Sequence, residues 1–329
     1  MEKEIESNES KSILPLSNNK EYFYELKKQC LSIDSHQFSF GQDLIKKIYP
    51  IIRNYEIEIQ GEENIPKGEN VLFVANHSNS HDIFTAYELF SMLQRRGSVM
   101  VATDCLNLFT TSIFNISNAT LLDRRNKKDR ENSILTLSKK ILDGSDGLIF
   151  GEGTWNIHPV LPMHNIKNGA AKVSLITQVP IVPVIFEYIE NNSFVLSDRE
   201  LYKKCVIRFG KPIMINYNDT LSRQSKQIQE EMIVLRKQLW STYGIRREEI
   251  NEIDKGYSNK IKWWLVKFRG VASKYLDHYL NWRAFEYKNS IEYTRNNSII
   301  EKINFNINVK AEINTYLSWN KIKEKTICI

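Results

Sequence analysis

Residues 71–75 (Val-Leu-Phe-Val-Ala) form an unbroken apolar run that ends in Asn76-His77-Ser78-Asn79-Ser80-His81-Asp82. Five residues are too few for a buried helix, so the run reads as a strand covered on both faces. A strand of that kind needs helices above and below it, which restricts the chain to layered α/β architectures. The other segments agree. Residues 55–60 alternate strictly and read as a half-exposed strand. Residues 98–103, 119–124, 148–150 and 180–186 are short apolar runs, and 194–196 and 205–209 read as further short strands. Between them, 21–34, 38–55, 83–94, 106–114, 129–143, 168–177 and 219–243 read as helices. The alternation predicts a mostly parallel, mixed central sheet with helices on both faces.

A chain of 329 residues accommodates one large α/β domain with appendages. Residues 1–20 read as a flexible polar tail, 21–244 as the main domain, and 245–329 as a basic, aromatic-rich, helical extension. The net charge of +6 is uneven. Residues 255–329 hold 14 basic and 6 acidic side chains, net +8, which leaves −2 for the rest. The basic excess points to an anionic partner for the extension. Cys30, Cys105, Cys205 and Cys328 lack metal-ligand spacing, so a reducing compartment is expected. The N-terminal residues have no apolar core of signal-peptide length, and no window approaches about 18 consecutive apolar residues.

His77 and Asp82 stand five residues apart. Five helical residues turn by about 140°, so both side chains on one helix would not share a face. They meet if His77 lies in the loop and Asp82 in the first turn of the next helix, which Ser78 or Ser80 would cap. Asp82 would then hold one imidazole nitrogen while the other faces a substrate, the arrangement that orients a general base. The plainer reading is a capped helix start with solvated histidines. His81 reads as a solvated helix residue; alternatively His77, His81 and Asp82 form the metal site of a metal-dependent hydrolase. His158 and His164 read as surface-loop residues.

Three further strand ends carry chemistry. Leu121-Leu122-Asp123-Arg124 puts an arginine at a strand tip, with Arg125, Lys127 and Lys128 after it. Arginine pairs bidentately with phosphate, although a solvated basic loop has the same composition. Phe150-Gly151-Glu152-Gly153-Thr154 is a two-glycine turn, and such glycines allow close backbone approach to a ligand. Residues 179–184 (Val-Pro-Ile-Val-Pro-Val) read as an apolar pocket wall or a buried strand.

In this order, the blocks resemble the glycerolipid (lysophospholipid) acyltransferase superfamily, typified by lysophosphatidate acyltransferases. Asn76, His77 and Asp82 match its Asn-His-x4-Asp pattern. Residues 121–124 resemble its Phe-Ile-Asp-Arg block, and 150–155 its Phe-Pro-Glu-Gly-Thr-Arg block. Residues 179–184 match its Val-Pro-Ile-x-Pro-Val block, and Lys167-Asn-Gly169-Ala170 resembles its Lys-x-Gly-Ala stretch. The resemblance spans about residues 55–243. It implies O-acyl transfer from an acyl thioester to a hydroxyl of a lysophospholipid, glycerol-phosphate or glycolipid-like acceptor, hence a place in lipid metabolism. His77 would be the general base and Asp82 its orienting carboxylate. Arg124, Glu152, Gly153, Thr154, Trp155 and Lys167 would form the acceptor site, and Pro180, Ile181 and Pro183 the acyl-donor side. Acyl-coenzyme A or an acyl-carrier-protein thioester is the implied co-substrate, with no other cofactor.

Three positions depart from the family pattern. Asn118 stands where glycine is common, Gly151 replaces proline, and Trp155 replaces arginine. The last exchange removes a cation and supplies a flat aromatic face suited to a sugar ring or an acyl chain. No serine or cysteine lies in a nucleophile-elbow pattern, so direct transfer without an acyl-enzyme is expected. Main-chain N–H groups at the helix start after His77, or near Gly153, are the expected oxyanion donors.

The segment 257–269 mixes Lys260, Lys262, Lys267 and Arg269 with Trp263, Trp264 and Phe268. It reads as an anionic-membrane docking segment or as a helix packed on the main domain. The expected location is cytoplasmic and peripheral at the inner membrane face. No nucleic-acid-binding motif appears. Besides the hydrolase, a catalytically silent lipid- or acyl-carrier-binding protein is the competing class.

Overall fold

The computed structural model describes residues 16–34, 40–53, 55–78, 81–103, 108–153, 156, 162–190 and 202–244. Seven strands form one sheet: β1 (Glu56–Gln60), β2 (Leu72–Ala75), β3 (Gly97–Ala102), β4 (Thr120–Leu122), β5 (Asp146–Phe150), β6 (Ile181–Glu190) and β7 (Tyr202–Phe209). The helices are α1 (Leu16–Leu31), α2 (Phe40–Ile52), α3 (Asp82–Met92), α4 (Leu108–Asn115), α5 (Lys127–Leu142), α6 (Gly169–Thr177) and α7 (Leu221–Thr242). The strand order is β1-β7-β6-β2-β5-β3-β4. All neighbours are parallel except β6 and β7, which pair antiparallel.

β2 sits inside the sheet between β6 and β5, and none of its residues is accessible to solvent. That position explains the unbroken apolar run: alternating side chains meet a covered face either way. Two apolar clusters fill the two faces. One joins Phe73, Phe150 and Phe186 to Tyr49 of α2, Tyr87 and Phe90 of α3, and Phe114 of α4. The other joins Leu72, Val74 and Ile181 to Phe23 of α1, Leu137 of α5, Val173 of α6 and Ile228 of α7.

The connections reverse direction at β2. From β2 the chain moves outward through α3 to β3 and through α4 to β4. It returns through α5 to β5 and through α6 to β6, on the opposite face. The carboxyl ends of β2 and β5 therefore flank a topological switch point, the crevice where α/β sheets bind ligands.

Differences from the sequence reading are local. α1 begins at Leu16, inside the stretch expected as a tail. β6 lies within the sheet although it contains Pro183, which comes just before the β6–β7 ladder starts at Val184 and whose carbonyl accepts from Gly210 N–H at 2.8 Å. Asn118 adopts φ 61°, the left-handed conformation that glycine enters without strain and asparagine tolerates best among other residues. Residues 194–196 and 245–329, including the segment 257–269, lie outside the described residues. Among the described residues no helix is long and apolar enough to cross a membrane.

Candidate active site

The loop after β2 is held at four points. Asn76 extends the sheet by one side chain: its Nδ2 donates to the Phe186 carbonyl at 3.0 Å, and its Oδ1 accepts from Phe186 N–H at 2.7 Å. Glu152 follows β5 and is buried. Its Oε1 accepts from His77 N–H at 3.0 Å and its Oε2 from His164 N–H at 2.6 Å. The His77 carbonyl accepts from Asn156 N–H at 2.6 Å. From α7, Arg236 donates to Glu187 Oε2 at 2.7 Å, to the Pro162 carbonyl at 2.7 Å and to Ser78 Oγ at 3.3 Å. Arg236 and Glu187 are both buried, so removing either would leave an uncompensated charge.

On this frame His77 lies in the loop and Asp82 opens α3. His77 Nδ1 and Asp82 Oδ2 are 2.8 Å apart, and the same oxygen accepts from Ser78 N–H at 2.6 Å. Asp82 is fully buried, while 13% of the His77 side chain is exposed. The imidazole stacks on the Phe150 ring, with centroids 4.3 Å apart. With Nδ1 facing a carboxylate, the ring presents Nε2 outward as a proton acceptor. Residue 81, not Ser78, is the N-cap position, and it makes no side-chain capping bond. The Asp82 carboxylate binds Ser78 N–H instead.

His77 borders a cavity of about 640 Å³. Ile83, Met100, Val101, Ala102, Leu122, Ile134 and Ile149 supply apolar walls, and Arg124, Lys127, Arg130 and Lys167 supply cations against a single acid, Glu131. Arg124 Nη1 donates to the Gly153 carbonyl at 2.6 Å, which joins the tip of β4 to the turn after β5. Gly153 has φ 64°. Gly151 is needed for space: a Cβ there would sit 2.9 Å from Val74 Cγ1 and 3.2 Å from Ile166 Cγ1.

The structure thus gathers His77, Asp82, Arg124, Gly153 and Lys167 around one cavity or directly behind it. Glu152 is beside them, but its two oxygens face main-chain N–H groups rather than an acceptor. Thr154 and Trp155 lie outside the described residues. Pro180, Ile181 and Pro183 lie apart from this group. Ile181 aligns with Leu72 at the start of β2, the end of the sheet opposite His77, and the Pro180 carbonyl accepts from Leu72 N–H at 3.0 Å. All three are buried and none lines this cavity, while Pro183 borders a second one. Of the expected oxyanion donors, those of the first turn of α3 remain. The N–H groups of His77, Ser78 and Gly153 are committed to Glu152, Asp82 and the Phe150 carbonyl.

His81 is not a solvated residue. Its Nδ1 lies 3.1 Å from Tyr49 Oη, in a buried hydroxyl chain that runs from Tyr49 to Tyr55 at 2.7 Å, to Thr85 at 2.9 Å and to Tyr188 at 3.1 Å. His164 is buried as well; His158 is outside the described residues. Burial pushes the His81 imidazolium below its ordinary range near 6.5, against an opposing pull from Asp82. The folded chain therefore prefers neutral His81, the unfolded chain takes up the proton first, and stability falls as pH drops below that range. His81→Gln is expected to flatten this part of the acid limb, read from melting temperatures between about pH 7 and 5. Among the described residues no three His, Cys, Asp or Glu side chains gather so as to hold a metal ion, and His81 turns toward Tyr49 rather than toward a shared centre with His77.

Residues 56–187 match the model of the Acyltransferase family. Over these residues the chain is similar to that family. The matched segment runs from β1 into β6 and so includes the His77 loop, the Arg124 tip, the Glu152 turn and Lys167. Among curated proteins none matches the chain. A solved structure similar to it is that of the 1-acyl-sn-glycerophosphate (LPA) acyltransferase PlsC from Thermotoga maritima. The two share 18% identity and a TM-score of 0.45, over 68% of this chain and 81% of that one. α7, which contributes Arg236 to the Ser78 loop, lies beyond the matched residues.

Proposed function

We propose that the chain moves an acyl group from a thioester of coenzyme A or of an acyl carrier protein to a hydroxyl of a lysophospholipid, glycerol-phosphate or glycolipid-like acceptor. The observation that carries this reading is the imidazole held by buried Asp82 at the wall of an apolar cavity with a cationic rim. His77 Nε2 takes the proton of the acceptor hydroxyl as its oxygen attacks the thioester carbonyl. Asp82 stabilises the imidazolium. The tetrahedral intermediate collapses to the ester, and the departing thiolate takes the proton back from His77. The developing oxyanion is met by the rim cations or the first turn of α3, whose N–H groups point along the helix axis toward its start. The apolar walls suit an acyl chain, and the cations suit a phosphate on acceptor or donor.

The deciding experiment supplies the purified chain with labelled acyl-coenzyme A or acyl-carrier-protein thioester and a panel of lysolipids, with His77→Ala as control. Labelled diacyl product from the wild-type chain alone is expected. Equal ligand binding by both chains with no product from either would instead make this a binding protein. Arg124→Gln is expected to raise KM for a phosphate-bearing acceptor about 10- to 100-fold, the worth of one charged hydrogen bond, with kcat nearly retained. Unchanged KM would remove Arg124 from head-group binding.

A further inference from the structure

Of the residues buried along α7, Arg236 is the only charged one. Its side chain is 7% exposed and that of its partner Glu187 2%. Taking such a pair out of water is costly, and two apolar side chains of similar size hold a helix to a sheet at least as well. Packing alone therefore does not require this arginine. What distinguishes it is where its N–H groups go. Nε donates to Glu187 Oε2 at 2.7 Å and pairs the charge. The other two nitrogens leave the pair: Nη1 donates to the Pro162 carbonyl at 2.7 Å and Nη2 to Ser78 Oγ at 3.3 Å. Both contacts fall on stretches that fix His77 and Asp82. Ser78 N–H donates to Asp82 Oδ2, and Ser78 Oγ also accepts from Asn76 Nδ2 at 3.0 Å. Pro162 lies two residues before His164, whose N–H shares Glu152 with His77 N–H.

We propose that Arg236 is a positioning residue for acyl transfer: it locks the loop after β2 to the stretch at Pro162, so that His77 keeps Nδ1 on Asp82 and Nε2 toward the cavity. Arg236 does not line the cavity, so it acts through that loop and not on substrate. Arginine suits the task because its planar fork donates in fixed, divergent directions. A lysine would keep a charge for Glu187 but has no fork to span Ser78 and Pro162 together. The site is thus completed from α7, outside the residues 56–187 that match the family. Adjacent residues of β6 divide the work. Phe186 clamps Asn76 through its main chain, and Glu187 anchors Arg236 through its side chain. The role rests on acyl transfer for its meaning in turnover alone, since the state of the imidazole is read without turnover.

The test replaces the pair by apolar side chains, Arg236→Met with Glu187→Met, in the full chain. The melting temperature is expected to stay near that of the wild-type chain, because no charge is left stranded. In the same variant kcat is expected to fall about 10- to 100-fold with KM nearly unchanged, because a small shift of His77 is costly while the cavity walls are untouched. Ring-nitrogen NMR shifts, with His77→Ala to assign the signal, are expected to show the proton of neutral His77 on Nδ1 in the wild-type chain and to move toward the Nε2–H form in the double variant. Ser78→Ala removes only the hydroxyl acceptor, and Arg236→Lys only the fork. Each is expected to lose about 3- to 10-fold in kcat and to move the tautomer in the same direction. Wild-type kcat in these two variants, with the His77 tautomer unmoved, would overturn the proposal and make the pair structural, whatever the double variant does. A tautomer that moves as expected in a chain without turnover would sink acyl transfer and leave the positioning standing.

Discussion

Replacing His77 by alanine is expected to lower turnover about 10²- to 10⁴-fold, or about 3–5.5 kcal/mol of barrier, with little change in acceptor binding. A hydroxyl ionises far above neutral pH, so without a base the attack on the thioester is left to bulk water. Asp82→Asn should approach the same loss by another route. Asp82 Oδ2 accepts from Ser78 N–H and faces His77 Nδ1, and Asp82 is fully buried. A carboxamide offers one acceptor oxygen and one donor NH2. Placed at the Oδ2 position, its oxygen still accepts from Ser78 N–H and faces His77 Nδ1, but it carries no charge to stabilise the imidazolium, and its NH2 is buried at the Oδ1 position. Single-turnover rates of both variants check this. Asp82→Asn turning over within about twofold of the wild-type chain would show that the pair is structural, since removing the orienting carboxylate of a working dyad costs far more than that.

The substitution Glu152→Ala is expected to damage stability and activity together. It strips the acceptor from His77 N–H and from buried His164 N–H, at a carboxylate that is itself buried. At about 1–3 kcal/mol for each stranded donor, the loss is about 2–6 kcal/mol, a large share of a domain stability of about 5–15 kcal/mol. Glu152→Gln keeps one acceptor and turns an NH2 toward the other N–H, so it should cost about 1–3 kcal/mol. A released His77 also loses its place against the cavity, and a shift of about 1 Å is enough to cost about 100-fold in rate. Denaturant unfolding and kcat report the two effects. A KM increase with unchanged stability would return Glu152 to acceptor binding.

The positions of Glu152 and Pro180 illustrate what patterns reveal and what they withhold. A short apolar run followed by polar residues identifies both a strand and the loop beyond its end, because burial on two faces leaves an unbroken signature. That was sufficient to place residues 71–75 in the sheet, His77 in the loop and Asp82 in the first turn of α3. Patterns do not say which end of a neighbouring strand a motif adjoins. Residues 179–184 read equally as a pocket wall or a buried strand, and only the parallel register, which aligns Ile181 with Leu72, puts the length of β2 between them and His77. Nor do patterns show where a carboxylate points. Glu152 between two glycines suggested a ligand contact, and its partners are main-chain groups of its own chain.

Arg236 left no usable signal at all. It is one arginine in a long amphipathic helix, and its contacts with Ser78, Glu187 and Pro162 depend on how α7 lies against β6. Local sequence determined the elements, their order, the two-faced burial of β2 and the loop that carries His77, since periodicity and chain connectivity are local properties. The tertiary structure alone decided the antiparallel turn of β7, the cavity with its cationic rim, the burial of Glu152 and the contact of His81 with Tyr49. Each of these depends on side chains far apart in the chain meeting across the sheet, and no spacing along the sequence encodes such a meeting.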